Sequence, residues 1–132
     1  MKTKIALFSI GLLLFLVSCQ NTNTAALSKE WTLVSINDTN YEAYSVTLNI
    51  NQEEEKTVAG KSFCNNYFSN ATIATGGVIS FGVIASTKKA CLDANLGAYE
   101  NDYFRSLEQV TSWLVNGENL ILSSETVKIA YR

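Results

Sequence analysis

The sequence predicts an α+β domain: a strongly curved, barrel-like antiparallel sheet of seven or eight strands packed against one helix late in the chain. Three observations predict it. Apolar and polar residues alternate along short stretches, as at Val46, Leu48 and Ile50, which is the period of a half-buried strand. Gly76-Gly77 and Asn116-Gly117 separate such stretches, and residues of this kind accept positive φ and close tight hairpins. One segment keeps the other period: Leu96, Tyr99, Tyr103, Leu107 and Val110 recur three or four apart and share a helical face.

The chain opens on a segment of different character. Lys2 and Lys4 form a basic head, and Ile5 to Val17 are apolar except for Ser9 and Gly11. As a helix that stretch spans roughly 20 Å, short of the about 30 Å of a bilayer core. It reads as an export signal, not a membrane span. Its end, Leu16-Val17-Ser18-Cys19, resembles the bacterial lipobox, which implies diacylglyceryl transfer to the Cys19 thiol, cleavage before it and acylation of the new amine. Gln20 in place of aspartate points, by the same resemblance, to the outer membrane. The expected organisation is a signal peptide over 1–18, a lipidated tether over 19–29 and a folded domain over 30–132. Loss of Lys2 and Lys4 with the signal takes the net charge from −2 to −4.

Within the domain, Trp31, Leu33 and the residues through Ile36 read as the first strand, and Val46 to Ile50 as the second. Glu53-Glu54-Glu55-Lys56 is a charged turn, because three adjacent carboxylates repel and prefer water. Thr57 to Gly60 begins a third strand. Ala71 to Ala74 and Val78 to Ile84 flank the Gly76-Gly77 turn. The helix follows, with Asp93 or Asn95 placed to cap it and Glu100 and Asp102 read as suited to the positive end of its dipole. Trp113 to Val115 and Leu120 to Leu122 make a second hairpin around Asn116-Gly117, and Thr126 to Ala130 the last strand.

Composition narrows the function. The chain has 132 residues, no histidine, no proline and three cysteines. Without histidine there is no Ser-His-Asp triad, no Cys-His pair and no imidazole metal ligand. Ten basic residues scattered against twelve acidic ones do not make the basic face that nucleic acid requires. Glu100 and Asp102 stand two apart and so do not share a helical face, which disfavours paired-carboxylate chemistry. Glycine-rich phosphate loops, EF-hand patterns and Cys-x-x-Cys are missing. No cofactor or metal is expected.

Two cysteine motifs stand out. Phe63-Cys64-Asn65-Asn66-Tyr67 follows the third strand, and Ser86-Thr87-Lys88-Lys89-Ala90-Cys91 precedes the helix. With Trp31-Thr32-Leu33 before them and the Glu100 to Leu107 stretch after them, they resemble the META domain family, which includes HslJ-like heat-shock lipoproteins of bacteria. The resemblance covers Glu30 to Arg132 and rests on Trp31, Asn65, Tyr67, Thr87 and Glu100 together with the cysteines. It implies a compact β-rich domain with one helix, and a link to envelope stress tolerance without a defined activity. Two positions depart from the pattern. Phe63 replaces a common glycine, implying a turn without positive φ, and Lys89 replaces a common methionine.

Once Cys19 is lipidated, Cys64 and Cys91 are an even remainder in an exported protein, where a disulfide can persist. Two buried free thiols packing as small hydrophobes are the alternative, and a reactive thiol activated by Lys88 or Lys89 a third. The expected role is a noncatalytic envelope lipoprotein, monomeric, holding the membrane through Cys19 and binding an envelope protein or a small apolar ligand. Tyr67, Phe68, Tyr99 and Tyr103 are the residues to examine for a ligand pocket, with core packing the simpler account of each. Two other classes remain: a histidine-free enzyme using Glu100 or Asp102 on envelope polymers or lipids, and an inhibitor of a foreign hydrolase presenting a rigid loop around Thr87 to Asp93.

Overall fold

The computed structural model describes residues 23–132. The signal segment, the lipobox and Cys19 lie outside the described residues. Among the described residues there are ten strands: β1 (Glu30–Ile36), β2 (Thr39–Asn40), β3 (Thr47–Asn51), β4 (Thr57–Lys61), β5 (Asn66–Ala74), β6 (Val78–Phe81), β7 (Ala85–Ser86), β8 (Ser112–Asn116), β9 (Asn119–Ser123) and β10 (Lys128–Tyr131), with helix α1 (Ala94–Gln109) between β7 and β8. Eight of them close an antiparallel barrel in the order β1-β3-β4-β5-β6-β8-β9-β10, with β10 returning to β1. The short β2 and β7 add to β1 and β5.

Two bent strands carry the sheet around its corners. In β1, Glu30 to Thr32 pair with β3, whereas Leu33 to Ile36 pair with β10 across a register shift at Leu33/Ser35. In β5, Asn66 to Asn70 pair with β4 and Ala71 to Ala74 with β6. A shift of this kind sharpens local twist and turns a strand from one sheet into another. The seam between β6 and β8 is thin, with Val78 opposite Ser112 as its one register pair. Helix α1 borders it, and Glu108 accepts the Ile84 N–H at 3.2 Å.

The alternation read from the sequence is the alternation of the interior. Trp31, Leu33, Leu48, Val58, Ile79, Leu120, Leu122, Ile129 and Tyr131 are fully buried, and their strand neighbours face outward. Tyr103 and Leu107 of α1 reach into the same core. Asp93 caps α1, accepting the Asn95 N–H at 2.8 Å.

Several expected boundaries move. The chain is already folded at Thr24–Leu27, a 3-10 turn that buries Leu27 and whose Leu27 carbonyl accepts Trp31 Nε1–H at 3.1 Å. The stretch read as a tether therefore contributes its last part to the packed body. The sixth strand stops at Phe81: the Gly82 N–H still meets the Asn70 carbonyl at 2.9 Å, and the chain then rejoins β5 one residue out of register at Ala85–Ser86. The last strand starts two residues late because Ser124 Oγ accepts the N–H groups of Thr126 and Val127, holding a turn there. Glu100 lies beyond the first turn of α1, so the helix dipole is not what it serves.

Candidate functional site

The residues singled out from the sequence converge around one loop junction. Asn65 is its hub. Its Oδ1 accepts from Thr87 Oγ1 at 2.9 Å and from the Lys89 N–H at 2.8 Å. Its Nδ2 donates to Glu100 Oε1 at 2.7 Å and to the Lys89 carbonyl at 3.4 Å. Its own N–H, with that of Cys64, donates to Glu100 Oε2 at 2.7 and 3.0 Å. One buried amide thus ties the β4–β5 loop, the loop before α1 and α1 itself.

Beside it, Cys64 and Cys91 form a disulfide with Cα atoms 5.5 Å apart. The two sulfurs and a Glu100 oxygen lie within 4.8 Å of one another, but the bond between the sulfurs removes the thiolates that a metal or a nucleophilic mechanism would use. Burial pushes the Glu100 carboxyl up. Hydrogen bonds from the side chain and backbone of Asn65 and the backbone of Cys64 outweigh it and hold the group below its ordinary value. The buried Ser62 hydroxyl favours the same charged form, although its oxygen falls outside hydrogen-bond geometry. Glu100 is therefore an ionised acceptor with both oxygens engaged, suited to holding the loops and poorly suited to proton transfer.

Tyr67 belongs to a second network. Its hydroxyl donates to the Thr47 carbonyl at 2.8 Å and lies 2.8 Å from Tyr103 Oη, which lies 3.1 Å from Tyr131 Oη. Burial raises all three phenols well above their ordinary value, and charge repulsion among them adds to it. Gly60 makes this possible: a Cβ there would stand 2.0 Å from the Thr47 carbonyl oxygen and 3.0 Å from Tyr67 Oη. Trp31 is remote from both networks in role, anchoring the N-terminal turn.

The four residues examined for a ligand pocket separate. Tyr67 and Tyr103 fill the space between sheet and helix, edge to face at 5.6 Å. Phe68 faces outward from β5 and is 63% exposed. Tyr99 is half-buried in a surface cluster with Tyr41, Tyr44 and Phe63, whose ring centroids lie 5.2–6.1 Å apart. Tyr41 and Tyr44 were not anticipated; the Tyr-x-x-Tyr spacing across a single turn was their signal.

A family model of the META domain matches residues 24–131. The chain belongs to the META domain family. Structural neighbours agree on the fold. An NMR structure of a protein from Burkholderia xenovorans is 19% identical with a TM-score of 0.66, covering 96% of this chain and 97% of that one. A second NMR structure is 17% identical at a TM-score of 0.60, covering 78% and 86%. A crystal structure of a DUF4847 family protein from Bacteroides vulgatus is 12% identical at 0.57, covering 80% and 92%. No curated protein matches the sequence.

In this META domain the two departures from the pattern have physical reasons. Phe63 does not have positive φ, and its ring packs with Tyr41, Tyr44 and Tyr99. At Lys89 only the backbone is used, by Asn65, while the side chain is exposed. The junction tolerates any side chain there that solvent accepts.

The junction also presents a surface. Thr87 to Ala90, Leu92 and Asp93 are exposed, Leu92 completely, and Val83 upstream is 87% exposed. This segment is pinned by the disulfide at Cys91, by Asn65 at Thr87 and Lys89, and by the Asp93 cap.

Proposed function

We propose that this META domain is a noncatalytic, lipid-anchored module of the bacterial envelope that binds another envelope protein through the segment from Val83 to Asp93. One observation carries the reading: Leu92 and Val83 are held in water on a segment braced at several points. Exposed apolar side chains on an ordered loop lose little conformational entropy on docking and gain apolar burial. The filled interior favours a protein partner over a small apolar ligand lodged under α1. The engagement of both Glu100 oxygens, and the exposure of Asp102 beside Arg105, support a noncatalytic role. Anchoring through Cys19 at the outer membrane rests on the lipobox, and a contribution to stress tolerance on the family resemblance.

The test is site-specific photo-crosslinking in the native envelope. A crosslinker at Leu92 is expected to trap one discrete partner that the same group at Glu54, on the charged turn, does not. Equal or absent adducts at both positions would overturn it. A Cys19→Ser chain is expected to lose metabolic fatty-acid labelling. The braced loop also fits a second reading, insertion into the cleft of a foreign hydrolase. In that case the trapped species is a secreted lysozyme or protease whose activity the protein suppresses.

A further inference from the structure

We propose that the cleft between the β1–β2 turn and the C-terminal half of α1 binds a pyranose sugar. The cleft measures about 360 Å³ and is lined by Ile36, Asn37, Thr39, Tyr41, Asp102, Arg105, Ser106 and Gln109, within the roughly 300–1,000 Å³ of small-ligand sites. It shares no residue with the Val83 to Asp93 segment and does not depend on the protein-docking reading.

Elimination on the lining chemistry leaves little else. Two apolar residues among eight are too few for a lipid or other apolar guest. Arg105 lies 3.7 Å from Asp102, so the cleft holds no surplus cation for a phosphate or carboxylate. A lone carboxylate does not make a divalent-cation site. What remains is a neutral ligand with one apolar face and a rim of hydroxyls. A pyranose ring is such a molecule, its axial C–H face stacking on an aromatic ring and its equatorial hydroxyls bonding planar side chains.

The pieces are fixed in place. Tyr41 meets Phe63 and Tyr99 edge-on at 5.3 and 5.5 Å, and its N–H donates to the Val34 carbonyl at 2.8 Å. Asn37 Oδ1 accepts the Lys128 N–H at 3.0 Å, and Gln109 Oε1 accepts Thr126 Oγ1 at 3.0 Å. Both amides are thereby oriented through their oxygens, leaving their NH₂ groups as donors. The Asp102 oxygen that does not face Arg105 supplies the acceptor, and Ser106 Oγ turns back to the Asp102 carbonyl at 2.7 Å. Donors and acceptors set beside a rigid ring give orientation at small entropic cost.

The experiment is amide chemical-shift mapping on the full chain, in a detergent without a sugar headgroup, titrated with chitobiose and with cellobiose. Shifts are expected around Asn37 to Tyr41 and Asp102 to Gln109, with a Kd of about 1 mM or tighter for at least one disaccharide. Preference for chitobiose identifies an N-acetylated glycan, preference for cellobiose a hydroxyl-only one, and equal binding recognition of the shared pyranose ring. Gln109→Ala and Tyr41→Leu are each expected to weaken binding about tenfold. Gln109 is exposed, so its replacement reads out binding even where Tyr41→Leu disturbs the aromatic cluster. Absence of shifts at about 10 mM of both sugars, shifts located elsewhere, or unchanged affinity in the Gln109→Ala protein overturns the proposal.

Discussion

Asn65 and Glu100, thirty-five residues apart, meet twice: Nδ2 donates to Oε1 and the backbone N–H to Oε2, both at 2.7 Å. The carboxylate satisfies donors that would otherwise be buried without partners, so its charge is structural. Glu100→Gln places an amide NH₂ among those donors and is expected to cost about 1.5–3 kcal/mol, or about 4 °C in Tm per kcal/mol. The pH dependence follows in sign. Because the folded carboxyl is held below 4.5, its contribution is complete above that value and is lost as pH falls through the lowered one. Thermal melts on acidification from about pH 5 should show the wild type losing this part of its stability and Glu100→Gln showing less of that loss. Parallel pH profiles in the two proteins would contradict the assignment.

The disulfide closes a sequence separation of 27 residues, for which the chain-entropy model gives about 3–4 kcal/mol. Cys64→Ser with Cys91→Ser should lower the denaturant midpoint accordingly, with an m-value that rises as the unfolded chain is released. Maleimide labelling of a Cys19→Ser protein, denatured without reductant, should find no thiol; two labelled cysteines per molecule would contradict the bridge.

Gly60→Ala should be among the most damaging single changes in the sheet, about 3 kcal/mol or more. The added Cβ would stand 2.0 Å from a backbone oxygen, and neither β3 nor β4 can withdraw without breaking its ladder. Tyr67→Phe removes one hydroxyl from the same place and should cost only about 1–2 kcal/mol. The double variant should not recover, because the clash is with Thr47, not with Tyr67. Urea unfolding of the three proteins decides it.

Much of this architecture is legible in the chain because one interaction dominates it. Alternation at Val46, Leu48 and Ile50 records a buried face directly, and Gly76-Gly77 and Asn116-Gly117 record the turns, with positive φ at all three glycines. The first half of β5 was hidden: Asn66 to Asn70 lack an apolar alternation strong enough to mark a strand, and their pairing with β4 comes from the closed barrel. The two-residue β2 and β7 are set by neighbours, not by their own composition. The family motif located Asn65, Thr87 and Glu100, but spacing could not show that they meet, since bends in β1 and β5 decide the approach. Tyr41 and Gln109 come together only once α1 has docked beside the β1–β2 turn.

The buried phenols give an alkaline limit. Tyr67, Tyr103 and Tyr131 are raised well above 10.0, so the folded state favours their protonated forms. Stability from them is complete below the unfolded value of about 10 and declines as pH rises beyond it. Tyr41, nearer the surface, should ionise in the native protein, later than an ordinary phenol because burial and then Tyr99 raise it. Tyr67, Tyr103 and Tyr131 should ionise only as the fold is lost. Phenolate absorbance followed with far-ultraviolet circular dichroism should therefore show two phases, the second coincident with unfolding. Tyr131→Phe should move that second phase to higher pH, since one buried ionisable group is gone. Ionisation of these three phenols before any loss of β-structure would mean that the triad is open to hydroxide and that the barrel interior is not closed around it.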